Sequence, residues 1–151
     1  MQYVQAYWSD EWQAYWTNPQ EYLDQLPRLL PQLPDGARAY SSATGHYDFY
    51  SSSCVKDLKL SQIEIPHDKV TSLRIHFAPN PFKHDSGLTI TYMAVTSFDV
   101  ECEKADGLVG LGDVMLDEVL PNDSGCTHEI AFHSGRIKIT CSDLSAKWEK
   151  S

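Results

Sequence analysis

Leu73-Arg-Ile-His-Phe-Ala-Pro-Asn-Pro-Phe-Lys-His-Asp-Ser-Gly-Leu-Thr-Ile-Thr-Tyr92 decides the fold class. Leu73, Ile75 and Phe77 alternate with Arg74 and His76, and Leu88, Ile90 and Tyr92 alternate with Thr89 and Thr91. A period of two places one side of each run in a core and the other toward solvent, which is a half-buried strand. The segment between the runs, Pro79-Asn80-Pro81 through Gly87, is rich in turn formers.

The same pattern extends in both directions. Leu58, Leu60, Ile63 and Ile65 predict a strand with a local irregularity, and Phe98, Val100 and Cys102 alternate with Asp99, Glu101 and Glu103. Cys126, His128, Ile130 and Phe132 form a further set, followed by Ile137, Ile139 and Cys141, then Leu144, Ala146 and Trp148. Asp106-Gly107, Pro121-Asn122-Asp123 and His133-Ser134-Gly135 separate them as turns. Strands following strands without helices between them give an antiparallel sheet.

The first 35 residues read differently. Trp8, Trp12 and Trp16 recur every fourth residue behind Ser9, a good N-cap, with Asp10 and Glu11 where a helix dipole favours acids. Asn18-Pro19 starts a second helix, with Tyr22, Leu23, Leu26, Leu29, Leu30 and Leu33 as its apolar face. Pro27 and Pro31 divide it into short pieces, and Pro34-Asp35-Gly36 is a turn. The expected fold is α+β: one domain over 1–151, with short N-terminal helices (1–35) packed on a mainly antiparallel sheet or small sandwich (36–151). A length of 151 residues, 42% of them apolar, supports a sizeable core and excludes disorder.

Twelve bases stand against 21 acids, a net charge of −9. The excess is uneven. Residues 1–27 hold Asp10, Glu11, Glu21 and Asp24 and no base, and residues 97–129 hold nine acids against Lys104 alone. That layout repels a phosphate backbone, so no nucleic-acid partner is expected, and it attracts a basic protein. The bland reading of the same layout is a solvated face that keeps the protein soluble. No run approaches the ~20 apolar residues of a membrane span, and residues 1–9 show no export signal. The expectation is a cytoplasmic protein with its four cysteines reduced.

Candidate chemistry is sparse. Cys126, His128, His133 and Cys141 are zinc-type donors, but they match no known spacing and Cys126 and Cys141 sit at apolar positions, so no metal and no cofactor is expected. Ser51, Ser52 and Ser53 lie near His46 and Asp48 without a nucleophile elbow. Asp117 and Glu118 are adjacent, and on a strand they would point to opposite faces. The Gly107–Gly112 stretch lacks the lysine of a phosphate loop. The tryptophan stripe reads either as a helix side covering a sheet or as an exposed anchor, since Trp dominates interface hot spots.

Tyr7-Trp-Ser-Asp-Glu-Trp12 with Tyr15-Trp16, Gly36-Ala-Arg-Ala39, His46-Tyr-Asp-Phe49, Cys126-Thr-His-Glu-Ile130 and Ser134-Gly-Arg-Ile137 resemble a loose set of small bacterial proteins, some of them immunity partners of toxins. The resemblance implies a cytosolic, non-enzymatic, helix-decorated β domain, and it carries no catalytic motif.

Two functional classes follow. The first is an acidic, non-enzymatic binding protein, of the immunity type, that neutralises a basic toxin by direct contact through Asp10, Glu11, Trp12, Asp113, Asp117 and Glu118. The second is a small metal-binding or hydrolytic enzyme centred on His46, Asp48 and His128; a structural domain is the blandest option. Either a monomer or a homodimer paired through an edge strand fits.

Overall fold

The computed structural model describes residues 1–67 and 72–150. It is an α+β fold in which two four-stranded antiparallel sheets face each other. After an N-terminal hairpin, β1 (Gln5–Ser9) and β2 (Ala14–Asn18), come two short helices, α1 (Gln20–Leu29) and α2 (Asp35–Ser41), joined by a single 3-10 turn. The strands β3 (Lys59–Glu64), β4 (Leu73–Ala78), β5 (Gly87–Met93), β6 (Ser97–Cys102), β7 (Val114–Asn122), β8 (Gly125–Phe132), β9 (Gly135–Cys141) and β10 (Asp143–Glu149) follow. The first sheet runs β10-β5-β4-β3 and the second β6-β9-β8-β7. The chain crosses between them after β5 and returns after β9, where the Ser142 amide donates to the Met93 carbonyl at 2.9 Å.

The core lies between the sheets. Ile75, Phe77, Leu88, Ile90, Tyr92 and Leu144 from one meet Val119, Cys126, Ile130, Ile137 and Ile139 from the other, all buried. All but Val119 are residues of the alternating runs, so the period-two pattern locates most of the core as well as the strands. The irregularity expected near Leu60 is a register shift between Leu60 and Gln62.

A second core sits on the outer face of β7, where Val4, Tyr22, Leu26, Leu29 and Leu116 pack together. The strand β7 is therefore covered on both faces, and Val114 through Val119 are all buried. A strand buried on both sides has no alternation, which is why the sequence pattern does not mark it.

The N-terminal segment departs from expectation. Trp8, Trp12 and Trp16 lie on a β-hairpin and not on a helix, with Tyr7 opposite Trp16 and Trp8 opposite Tyr15. Aromatic side chains favour strands and stabilise them through such cross-strand pairs. Spacing by four fits a helix, but it also arises when a turn at 10–13 separates two aromatic strands. The Ser9 hydroxyl accepts from the Trp12 amide at 3.3 Å, as a helix N-cap would, but here it closes that turn. Gln13 takes the left-handed conformation there, with φ 49°.

Pro34-Asp35-Gly36 likewise is not a free turn; it opens α2, inside the region expected to be purely β. The cap comes from a distant strand. Asp143 accepts from the Gly36 amide at 3.0 Å and the Ala37 amide at 2.9 Å, a carboxylate at the positive end of the helix. Among the described residues, no helix is long and apolar enough to cross a membrane.

Candidate functional site

The acids of residues 97–129 do not form one face. Asp117 and Glu118 are buried, at 0% and 2% exposure. They point to opposite sides of β7, but both sides are covered. Asp117 and Glu118 thus cannot serve as a solvent-facing docking charge, which corrects the expectation that they contact a partner. Asp99, Glu101, Glu103, Asp106 and Asp123 are exposed, and Asp113 is half-buried.

Asp117 is the centre of a polar cluster inside the sandwich. One carboxylate oxygen accepts from His46 Nε2 at 2.7 Å, and the other accepts from His128 Nε2 at 2.8 Å and from the Tyr40 hydroxyl at 2.6 Å. His46 Nδ1 lies 2.9 Å from the Tyr40 carbonyl, and His128 Nδ1 lies 2.8 Å from the Tyr92 hydroxyl. A backbone carbonyl only accepts, and so does an ionised carboxylate. Both ring nitrogens of His46 must therefore donate, which makes it an imidazolium paired with Asp117. For His128, the Nε2–H tautomer satisfies both contacts, with the Tyr92 hydroxyl donating to Nδ1.

The electrostatics agree with that assignment. Burial works against the His46 cation, but the Asp117 carboxylate outweighs it and raises its pKa above the ordinary 6.5. Burial would lift Asp117; the two histidines reverse this and hold it well below its ordinary 3.8. Burial beside the same carboxylate raises the Tyr40 and Tyr92 phenols.

A pH dependence of folding follows. A base with a raised folded pKa stabilises the fold fully below its unfolded value and loses that contribution as pH climbs through the raised one; a depressed acid behaves in the opposite sense. The cluster should be strongest between about pH 4 and 6.5 and weaken on either side. Urea midpoints across pH 5–9 should fall on the alkaline limb, and Asp117→Asn should flatten that limb. A wild-type midpoint that rises from pH 6.5 to 9 would contradict the imidazolium assignment.

The cluster unites His46 and His128, as the enzyme alternative required, but around Asp117. Asp48 is exposed, outside the cluster, and its carboxylate accepts from the Tyr50 amide at 3.0 Å. All four ring nitrogens of His46 and His128 are engaged within the cluster, and the adjoining cavity is about 10 Å³, room for a single water at most. Ser51 and Ser53 hydrogen-bond to each other at 2.9 Å, as loop serines do. Cys126 and Cys141 are cross-strand neighbours with sulfurs 3.7 Å apart, whereas His133 lies elsewhere, stacked on Tyr15. Among the described residues, no three His, Cys, Asp or Glu side chains converge as a metal site.

The hairpin gives the second candidate. Trp12 is 69% exposed, and Tyr7, Trp8, Tyr15 and Trp16 are each at least 41% exposed. The tryptophan stripe is thus surface and not the covered side of a helix. The rings are held in place. Trp8 meets Tyr15 edge-on at 5.1 Å, Tyr15 stacks on His133 at 4.2 Å, and Trp16 Nε1 donates to Gln5 at 3.1 Å. Asp10 and Glu11 occupy the exposed turn beside Trp12. Asp113 joins this end through its carbonyl, which accepts from the His133 amide at 3.1 Å. No family model, curated protein or solved structure matches the chain.

Between the hairpin and the outer face of the second sheet runs a cleft of about 480 Å³, with Tyr7 and Trp8 on one side and Glu101, Glu103, Glu129 and Arg136 on the other. The outer position of Glu101, Lys138 and Arg136 follows from their alternation with Val100, Ile137 and Ile139. The network around Asp117 was half visible in advance, through His46 and His128. Tyr40, Tyr92 and Tyr47, whose hydroxyl donates to the Asp117 carbonyl at 2.9 Å, were not, because a tyrosine in an apolar setting carries no sign that its hydroxyl has a buried partner.

Proposed function

We propose that this protein is a non-enzymatic binding module that docks a basic protein partner through the aromatic hairpin, in the manner of an immunity protein that neutralises a toxin. One observation carries the reading: five aromatic side chains with two acids and no base on one exposed, internally braced hairpin. Exposed Trp and Tyr on a rigid support supply large contact area at small entropic cost, and they dominate the energetics of protein interfaces. Monomers rarely leave such a patch uncovered. The acids at its tip favour a cationic partner and speed its approach. The resemblance of several fragments to toxin-immunity partners points the same way. Asp10, Glu11, Trp12 and Asp113 remain as contact residues, and the role of Asp117 and Glu118 is in folding.

The tagged chain, recovered from its native host and weighed by native mass spectrometry at low and moderate salt, tests this. A stoichiometric basic protein whose occupancy falls with salt is the expected result. With that partner purified, Trp12→Ala should weaken binding by about thirtyfold, the loss typical of an interface hot spot. Reversing Asp10 and Glu11 to Lys should slow association several-fold at low salt, on the order of tenfold at most. Recovery of the bare chain at both salts, or a partner indifferent to Trp12, would sink the proposal.

A further inference from the structure

We infer that the cleft beneath the hairpin receives a cationic side chain, Arg or Lys, of the protein partner; this rests on the basic-partner reading above. At about 480 Å³ the cleft has the size of a small-ligand site. Its carboxylates are not evenly committed. Glu129 accepts from the N-terminal ammonium at 2.8 Å and from Arg136 at 3.4 Å. Glu101 is gripped by Arg136 through two contacts of 2.9 Å. Glu103 is exposed and has no side-chain partner among the described residues. Three acids therefore face two cations, and the surplus negative charge stands at Glu103. Its backbone is fixed by donation to the Ser134 carbonyl at 3.0 Å.

An anionic occupant would meet Glu101 and Glu103, and a neutral one would leave the surplus in place. A guanidinium or ammonium answers Glu103 and can lie against the Trp8 ring on the facing wall, where the aromatic quadrupole attracts it. Met115, Ala131 and Phe132 also line the cleft and offer apolar surface to the stem of such a side chain. Trp8 lines the cleft and Trp12 stands in the turn of the same hairpin, so a partner anchored on Trp12 has the cleft beneath Trp8 within the same contact area.

The test uses the full chain labelled with nitrogen-15 and three blocked peptides: acetyl-Gly-Arg-Gly-amide, its citrulline analogue and its Glu analogue. The Arg peptide should shift the Trp8 indole and the amides of Glu101 and Glu103. Citrulline, which keeps the shape and removes the charge, should bind about tenfold more weakly or not at all, and so should the Glu analogue. Glu103→Gln should weaken the Arg peptide about threefold and Trp8→Ala about tenfold. Equal binding of Arg and citrulline peptides, or shifts confined to the Trp12 tip, would overturn the cleft assignment while leaving the basic-partner reading in place. No response to any peptide, with Trp emission shifting instead on phosphatidylcholine vesicles, would overturn both and assign the hairpin to lipid.

Discussion

Asp117→Ala should cost about 3–5 kcal/mol of folding stability, the penalty of stranding one partner of a buried ion pair. For a chain of this size that lowers Tm by roughly 10–15 °C. The variant leaves His46, His128 and Tyr40 without the acceptor they share. His46 must then give up its proton or remain an uncompensated buried cation, and three donors lose hydrogen bonds where water does not reach. Asp117→Asn behaves differently. Its carbonyl oxygen can accept from Tyr40 and His128, and its amide can donate to His46 Nε2 once that ring is neutral. His46 Nδ1 still donates to the Tyr40 carbonyl. Asn should therefore cost at most about 1–2 kcal/mol, mainly the charge-assisted part of the bonds. A calorimetric Tm for each variant checks the ordering. An Ala variant within about 1 kcal/mol of wild type, or an Asn variant as damaged as Ala, would overturn the account of the cluster.

The sandwich was legible because most of its strands present one face to water, and alternation is the trace that leaves in a sequence. Leu73 to Phe77 and Leu88 to Tyr92 are clear cases, and they form β4 and β5. The strand β7 left no such trace because α1 and the N-terminal segment cover its outer face. The hairpin was misread because a spacing of four residues is compatible with two geometries, and only the pairing of Tyr7 with Trp16 distinguishes them. The site was legible in its charges but not in their placement. Asp117 and Glu118 add to the acidity of the composition, yet neither contributes to the acidity of the surface. Whether a carboxylate meets solvent or a histidine 71 residues away is a property of strand order, which a single sequence does not display.

Glu118→Ala should release the first four residues and cost about 2–4 kcal/mol, a sum bounded by the energy of detaching that segment. The buried Glu118 carboxylate accepts from three successive amides, Gln2 at 2.8 Å, Tyr3 at 2.7 Å and Val4 at 2.7 Å. Among the described residues no other acceptor serves those amides, so without Glu118 they must find water, and Val4 must leave the second core with them. Glu118→Gln is the graded control. Its oxygen can serve Tyr3 and Val4, but its amide then faces the Gln2 donor, so one contact fails and the loss should be about half as large. Hydrogen exchange at Tyr3 and Val4 reads the release directly, and unchanged protection in the Ala variant would refute it. The consequence reaches the proposed interface, because the strap leads straight into β1. Met1 also holds Glu129 at the cleft wall. Glu118 itself does not line the cleft, but Met1 and Val4 of the strap do; if the strap positions the hairpin, Glu118→Ala should weaken the Arg peptide several-fold, and Glu118→Gln should restore most of that binding. A strap that frays without any change in peptide affinity would mean that the hairpin is held by its own stack on His133.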